Sequence, residues 1–313
     1  MFNPRLANAF EPDDYPIVAT TFFVAGLCGM AMNLFVIYNL HKRQVFQCAF
    51  GRVCMSHSIA ALGNNATFAL YVAPLTFLNA ELNMTYWGKR SGVLIVLFWN
   101  AGILSHLLMA TNRFVCMYLP LKYSFIFSDR CTRNLVLSAW LLSAIVALLQ
   151  FIPTCECFVW IDNFNYEWYP NMCGLILGLY ADFGVSVSVI CLVAVLDFLT
   201  YVKIKRYRRN EQRHSVRTPN NNNNSAAQGL AAALEIIMYF YVSPMFDNKW
   251  LRFSFSACLF LGVNVIDAII VTSFNKDIRH QIYVPKKVAP QTSTPITTVS
   301  GLPEIVTPVL QRF

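Results

Sequence analysis

Residues 91–117 read SGVLIVLFWNAGILSHLLMATNRFVCM, and Arg113 is the one Lys, Arg, Asp or Glu among them. An α-helix rises 1.5 Å per residue, so about 20 apolar residues span a hydrocarbon core about 30 Å thick. The stretch is long enough to cross a membrane as one helix with an arginine near its end. A run this apolar predicts a membrane protein rather than a soluble domain.

The composition of the whole chain agrees with that prediction. Of its 313 residues, 56% are hydrophobic and 13% are charged, whereas soluble domains carry about 25% charged residues. The net charge of +8 raises the question of a nucleic-acid partner, but the basic residues lie in short segments between apolar runs. That distribution is typical of membrane orientation. We therefore expect membrane lipid, and no nucleic acid, around the chain.

Six further apolar runs flank this stretch, so we predict an all-α membrane protein with a seven-transmembrane helix bundle. The predicted spans are 17–40, 46–72, 91–117, 134–153, 174–200, 226–243 and 251–274. Residues 17–280 form the predicted bundle, including a short amphipathic helix at its end. Residues 1–16 lie outside the membrane, and the Thr-, Ser- and Pro-rich segment 281–313 is expected to be a disordered tail.

Lysines and arginines predict the orientation of the bundle, because cytoplasmic loops carry an excess of them. One side holds most of them, including the basic cluster within 203–217. The opposite side holds only Arg5, Lys89, Arg90, Lys249 and Arg252. We therefore expect the N-terminus outside and the C-terminus in the cytoplasm, as in a multi-pass protein of the plasma membrane.

The segments assigned to the outside carry two modification signals. Asn83-Met84-Thr85 is a glycosylation sequon, which predicts a glycan on Asn83. Cys155, Cys157 and Cys173 lie in the second outer loop, where the compartment is oxidising. A disulfide from either Cys155 or Cys157 to Cys173 is expected, with one cysteine left over.

Ionisable residues inside spans are costly unless paired, so each is a functional candidate. Asp267, Asn33 and His106 are expected at middle or inner depth, as an interhelical hydrogen-bonded cluster, a switch between states, or both. Asp197 is expected to contact basic residues at a helix end. Asp182, near the outer end of the fifth span, is either a functional residue or simply solvated. The remaining ionisable candidates are His57 and Glu235.

The same residues do not predict an enzyme. Membrane-embedded zinc hydrolases need about three histidine ligands, and His57 and His106 are the two histidines within the predicted spans. The chain has no Gly-Xaa-Ser-Xaa-Gly or His-Glu-Xaa-Xaa-His motif. We therefore predict no catalytic residue, no cofactor and no metal.

The end of the third predicted span carries the most specific motif. Asn112-Arg113-Phe114 closes the span, and Pro120-Leu121-Lys122-Tyr123 and Ile126-Phe127-Ser128 follow. Rhodopsin-like receptors have Asp-Arg-Tyr here, and the sequence resembles more closely the nematode serpentine receptors of class Srx, which carry Asn-Arg-Phe, Pro-Leu-Lys-Tyr and Ile-Phe-Ser. Further matches in register are Asn33, Trp140, Ala227-Gln228-Gly229 and Asp267-Ala268-Ile269-Ile270-Val271, the last in place of Asn-Pro-Xaa-Xaa-Tyr.

The resemblance implies a G-protein-coupled chemosensory receptor with two kinds of partner, a small-molecule ligand and a heterotrimeric G protein. It assigns coupling and switching to Asn112, Arg113, Phe114, Asp267, Asn33 and His106. The sequence departs from the pattern because Arg113 has no carboxylate beside it in the triplet and the second span has no Asp. No cysteine begins the third span, so the resemblance implies a disulfide within the second outer loop.

A ligand pocket is predicted among the outer halves of the helices. Residues at helical spacing on one face of the third span, with two tyrosines, predict an apolar and aromatic lining: Ile95, Trp99, Asn100, Ile103, Tyr180 and Tyr239. The third span has no acid at membrane depth, which disfavours a biogenic amine. A ligand-gated ion channel or a transporter of the same seven-span topology remains the alternative, although we find no internal repeat of the transporter kind.

Overall fold

A computed structural model of the chain describes residues 9–42, 48–211, 238 and 242–274. The described chain is helical, as predicted, apart from one β-hairpin. Most of the predicted sixth span lies outside the described residues, together with Glu235, Tyr239, the Ala227-Gln228-Gly229 motif, much of the basic cluster and the predicted tail.

Five described helical stretches are long and apolar enough to cross a membrane: Pro12–Lys42, Tyr86–Tyr118, Asp129–Phe151, Met172–Tyr207 and Lys249–Thr272. They match the predicted first, third, fourth, fifth and seventh spans. Within them we number the α-helices α1 (Tyr15–Lys42), α4 (Tyr86–Tyr118), α6 (Asp129–Leu148), α7 (Met172–Ile176), α8 (Val185–Glu211), α9 (Lys249–Phe253) and α10 (Leu259–Phe274). π-helical turns at Leu177–Gly184 and Ser254–Cys258 connect α7 to α8 and α9 to α10.

The predicted second span is also a long helix, but a more polar one. It comprises α2 (Ala49–Ala66), a π-helical turn at Thr67–Val72 and α3 (Ala73–Asn79). Pro74, which has no N–H to donate, lies at the start of α3, directly after the wide turn. The helix packs against α1 and α4. It buries polar side chains there, which lowers its apolar character: Ser56, His57, Ser58, Asn64 and Asn65.

Helix α4 occupies the centre of the bundle. It packs against α2, α6 and α8. At one end it leads into the short helix α5 (Pro120–Ile126), and we call this the α5 end of the bundle. At the other end lies a two-stranded antiparallel hairpin of β1 (Cys157–Trp160) and β2 (Asn165–Trp168), and we call this the hairpin end.

The hairpin closes its end of the bundle. Phe158, Val159 and Phe164 are fully buried, and Phe164 packs edge-on against Phe22 of α1. A disulfide, as expected in this loop, joins Cys155 to Cys173, whereas Cys157 is a buried free thiol. The segment before α1 packs onto the same surface, because Phe10 is 5% exposed and its N–H donates to the carbonyl of Asp162 (3.2 Å).

Helix α6 shows which surface meets lipid. Its buried side chains are small, including Ala139, Ser143 and Ala147. Its large apolar side chains point outward and are more than half exposed: Leu137, Leu141, Leu142, Ile145 and Leu148. Small residues inside allow helices to approach closely in a membrane, and apolar residues outside contact lipid tails.

The structure contradicts the predicted glycan on Asn83. That residue lies in a 3₁₀ turn, Ala80–Met84, and its side chain is fully buried. Its Nδ2 donates to Oγ1 of Thr76 (2.9 Å) and to the carbonyl of Ala80 (3.2 Å). The amide that a glycan would modify is therefore engaged in hydrogen bonds and closed off from solvent.

Candidate functional site

A large cavity, with a volume of about 980 Å³, lies at the hairpin end. Its walls come from α4, the hairpin, the π-helical turn before α8 and the start of α10. Aromatic and apolar side chains dominate the lining, among them Phe68, Ile95, Trp99, Tyr166, Trp168 and Phe260. A large apolar cavity with a few polar groups is the usual form of a small-molecule site.

Asp182 supplies a carboxylate to this cavity. It lies in the Leu177–Gly184 turn, and Nε1 of Trp168 donates a hydrogen bond to its Oδ2 (3.1 Å). Asp182 lines the cavity, which favours the functional alternative for this residue over simple solvation. Gly178, one helical turn earlier, brings the indole close, since a Cβ there would lie 2.8 Å from Cδ1 of Trp168.

The predicted pocket residues separate into three groups. Ile95 and Trp99 line the large cavity. Ile103 lies deeper, in the wall of a second cavity of about 40 Å³, and Trp99 forms part of both walls. Asn100 lines neither, because its Nδ2 donates to the carbonyl of Val96 in its own helix (2.8 Å). Tyr180 was also predicted wrongly, because it points outward and is 67% exposed.

The hairpin is the part of the cavity that sequence reasoning missed. A pattern in the sequence could have predicted the hairpin. Aromatic residues occupy every second position on either side of a short turn: Phe158, Trp160, Phe164, Tyr166 and Trp168. Burial raises the pKa of the Tyr166 phenol above its ordinary value, so the phenol stays neutral even in alkaline solution. Glu156 fixes the base of the hairpin through ion pairs with Arg90 (2.6 Å) and Lys89 (3.1 Å) of α4.

Arg113 at the α5 end has a carboxylate partner that the triplet does not supply. Its Nη2 lies 2.9 Å from Oδ1 and 3.1 Å from Oδ2 of Asp197, which projects from α8. Both side chains are largely buried, with 17% and 5% exposed. The ion pair joins the third predicted span to the fifth, and Asp197 contacts a basic residue as its sequence position predicted.

The other two residues of the triplet face different partners. Nδ2 of Asn112 donates to the hydroxyl of Tyr123 in α5 (3.2 Å). The ring of Phe114 stacks on Tyr118, with ring centroids 4.5 Å apart. Asn112 therefore ties α4 to the short α5 helix, whereas the Phe114–Tyr118 stack lies within α4.

The predicted interior cluster is only partly as expected. His106 and Asp267 meet, with Nε2 3.2 Å from Oδ2. Asn33 instead donates to the carbonyls of Gly29 (2.9 Å) and Asn264 (3.3 Å), which ties α1 to α10. His57, which the sequence did not join to the cluster, lies 3.4 Å from the same carboxylate oxygen of Asp267.

Trp140 of α6 reaches a second polar contact beside this cluster. Its Nε1 donates to Oγ of Ser56 (2.9 Å), and Ser56 lies 3.0 Å from Oγ of Ser105. One shared serine therefore connects α6, α2 and α4 within the bundle.

Membrane-length helices, an aromatic cavity at one end and a buried Arg113–Asp197 ion pair at the other are the structural features to which the family match below gives a class. The family described as the serpentine type 7TM GPCR chemoreceptor Srx matches residues 23–275. The chain belongs to this Srx family of nematode chemoreceptors, which is a family of receptors and not of enzymes.

Two curated relatives come from Caenorhabditis elegans. Serpentine receptor class X 45 is 24% identical over 309 residues, covering 91% of this chain and 86% of the relative. Serpentine receptor class X-43 is 25% identical over 295 residues, covering 88% of this chain and 89% of the relative.

Proposed function

We propose that the chain is a chemosensory receptor with seven spans, an external N-terminus and a cytoplasmic C-terminus, which binds a small molecule from outside and activates a heterotrimeric G protein. The positive-inside distribution supports this orientation, because it places the hairpin end outside and Arg113 inside. The plasma membrane is then where an external chemical reaches the large cavity.

The ligand we propose is a mostly apolar small molecule with one hydrogen-bond donor. Ile95, Trp99 and Phe260 offer flat apolar surface. Asp182 offers an acceptor on the wall. A half-buried carboxylate in a mostly apolar wall favours a ligand that donates a hydrogen bond to it, because a ligand that displaces water from the carboxylate without replacing its hydrogen bonds incurs a desolvation cost.

The observation that carries the proposed coupling is the Arg113–Asp197 ion pair between α4 and α8. A buried pair of this kind has two distinct arrangements, closed or broken, and breaking it exposes an arginine to a cytoplasmic partner. A ligand shifts such an equilibrium only through its different affinity for the two states. The proposed ligand therefore binds more tightly when the pair is broken.

The test compares wild type with Arg113→Ala at matched surface expression, by energy-transfer sensors of G-protein dissociation, with and without a chemical extract. Arg130→Ala is the control, since Arg130 is an exposed basic residue near the same end. We expect Arg113→Ala to abolish the signal and Arg130→Ala to retain it.

Two outcomes would contradict the proposal. An equal loss of the G-protein signal in Arg113→Ala and Arg130→Ala would show that the signal depends on the total positive charge at the α5 end and not on Arg113 itself. Ionic currents without any G-protein signal, insensitive to Arg113→Ala, would support the channel or transporter alternative instead.

A further inference from the structure

Three side chains from three helices converge in the middle of the bundle. His57 comes from α2, His106 from α4 and Asp267 from α10, and one ligand atom from each lies within 4.8 Å of the others. The distances to Oδ2 of Asp267 are 3.4 Å from Nε2 of His57 and 3.2 Å from Nε2 of His106. The three side chains are 5%, 16% and 5% exposed.

The convergence leaves polar atoms without hydrogen bonds. Among the residues that the structure describes, neither ring nitrogen of His57 has a hydrogen-bond partner of acceptable geometry, and Oδ1 of Asp267 accepts no hydrogen bond. Buried polar atoms are nearly always satisfied, because an unpaired one loses its hydration without gaining a hydrogen bond in return. These atoms therefore point to a missing partner rather than to a completed network.

A small cavity adjoins the three side chains. Its volume is about 40 Å³, and His57, His106 and Asp267 all contribute to its wall. That is room for a water molecule, which needs about 10–15 Å³ by this measure. Asn64 lines the same cavity, and its Oδ1 is also buried without a hydrogen-bond partner. No Lys or Arg lines this cavity among the residues that the structure describes.

The spacing fits a tetrahedral metal ion. Zinc lies about 2.0–2.1 Å from histidine nitrogen and about 2.0–2.2 Å from carboxylate oxygen, so two ligand atoms of a tetrahedral site are about 3.3 Å apart. The two distances to Oδ2 of Asp267, 3.2 and 3.4 Å, bracket that value. The two histidine ligand atoms lie within 4.8 Å of each other, so a side-chain adjustment of up to about 1.5 Å brings all three onto one ion. Two imidazoles suit zinc and its first-row neighbours, whereas Mg²⁺ and Ca²⁺ prefer all-oxygen sites.

We propose that His57, His106 and Asp267 form a binding site for Zn²⁺ or a similar divalent transition-metal ion, with a water from the small cavity as fourth ligand. Oδ1 of Asn64 accepts a hydrogen bond from that water. The ion joins α2, α4 and α10, so it stabilises the helix arrangement seen here over any arrangement that separates them. Bound metal therefore acts as a second effector of the bundle.

The test uses the full chain, purified into lipid nanodiscs and stripped with EDTA, so that binding is measured apart from signalling. Zn²⁺ is added, and the Tm is read from intrinsic tryptophan fluorescence. We expect the Tm to rise by about 5 °C at a hundredfold excess over the Kd. His57→Gln and Asp267→Asn should abolish the rise.

The control is His41→Gln, because His41 is exposed at the end of α1, away from the cluster. It should retain the full rise. Asp267→Asn changes no heavy-atom shape, so it keeps the test valid if His57→Gln fails to fold. No rise in wild type, or an equal rise in all variants, would overturn the proposal.

Co²⁺ then identifies the ligand atoms. Bound at the proposed site, it should give the intense d–d absorption of a four-coordinate ion without a sulfur-to-cobalt charge-transfer band. A charge-transfer band would show that one of the free cysteines holds the metal, and would overturn the assignment to the histidines.

Discussion

The indole N–H of Trp168 donates to the carboxylate of Asp182 across 3.1 Å, and this bond joins the hairpin to the π-helical turn before α8. Residues fourteen positions apart thus hold two walls of the large cavity together. A change at either residue should loosen the hairpin and alter the cavity at once.

Trp168→Phe tests that connection. The substitution keeps a buried ring but removes the N–H, so we expect a loss of about 1 kcal/mol in the free energy of unfolding and a fall in Tm of about 2–4 °C. Trp160→Phe is the matched control. Nε1 of Trp160 donates to the carbonyl of Glu167 at an exposed position, where water replaces the bond. Equal falls in Tm for Trp168→Phe and Trp160→Phe would contradict a stabilising role for the Trp168–Asp182 hydrogen bond.

Asp197→Asn should raise basal G-protein dissociation severalfold at matched surface expression. The amide cannot neutralise Arg113, so the closed ion pair loses most of its advantage over the broken one. Asp129→Asn is the control. It removes the ion pair between Asp129 and Arg52, in which the Asp129 side chain is 84% exposed, and exposed ion pairs contribute little to stability. Lower basal activity in Asp197→Asn would mean that the pair belongs to the active arrangement instead.

Gly92→Ala should prevent correct folding of the hairpin end. A Cβ at Gly92 would collide with the backbone carbonyl of Cys157, which cannot rotate away. Alanine at this position would stabilise the helix itself by about 1 kcal/mol relative to glycine. Any loss of surface expression must therefore come from the collision. Gly262→Ala is the control, because within the described chain no atom outside its own helix backbone lies within 4 Å of the Cβ it would add. Surface expression of both variants, by antibody to an N-terminal tag, measures the difference.

The free thiol of Cys157 should resist alkylation in the folded receptor. Burial raises its pKa well above the ordinary value of 9.0, and a neutral thiol reacts poorly. Raising the pH from 7 to 9 should therefore not increase its labelling by iodoacetamide. Because the unfolded thiol ionises at lower pH than the folded one, this group also lowers stability as the pH rises above about 9. Peptide mapping by mass spectrometry measures the labelling.

After mild reduction, Cys173 should become labelled while Cys157 stays unlabelled, because Cys173 is partly exposed once its disulfide with Cys155 is cut. Rapid labelling of Cys157 in the folded, unreduced receptor would contradict the burial of β1.

The sequence predicted the long helices well because membrane length and apolarity are local properties. Residues 91–117 lie within α4, whose bounds are Tyr86–Tyr118. The second span was harder to delimit, since it buries polar side chains such as Asn64 and continues past Val72 to Asn79. Its π-helical turn changes which residues share a face, and no periodicity in the sequence records that change.

The site was predicted less completely, because its geometry depends on contacts between distant segments. Ile95 and Trp99, which were predicted from helical spacing on a single helix, do line the large cavity. Tyr180 and Asp182 are two residues apart, and the π-helical turn points one outward and the other into the cavity wall. The pairing of Arg113 with Asp197 spans 84 positions, and a motif of three residues carries no information about it.

Trp99 belongs to the walls of both the large and the small cavity, and its Nε1 donates to Oγ of Ser186 (3.3 Å). Its indole ring separates the two cavities. An occupant of either space that tilts the ring changes the shape of the other, and thermodynamic reciprocity requires the influence to be equal in both directions. A chemical stimulus and an intramembrane ion would then compete or cooperate through the orientation of one side chain.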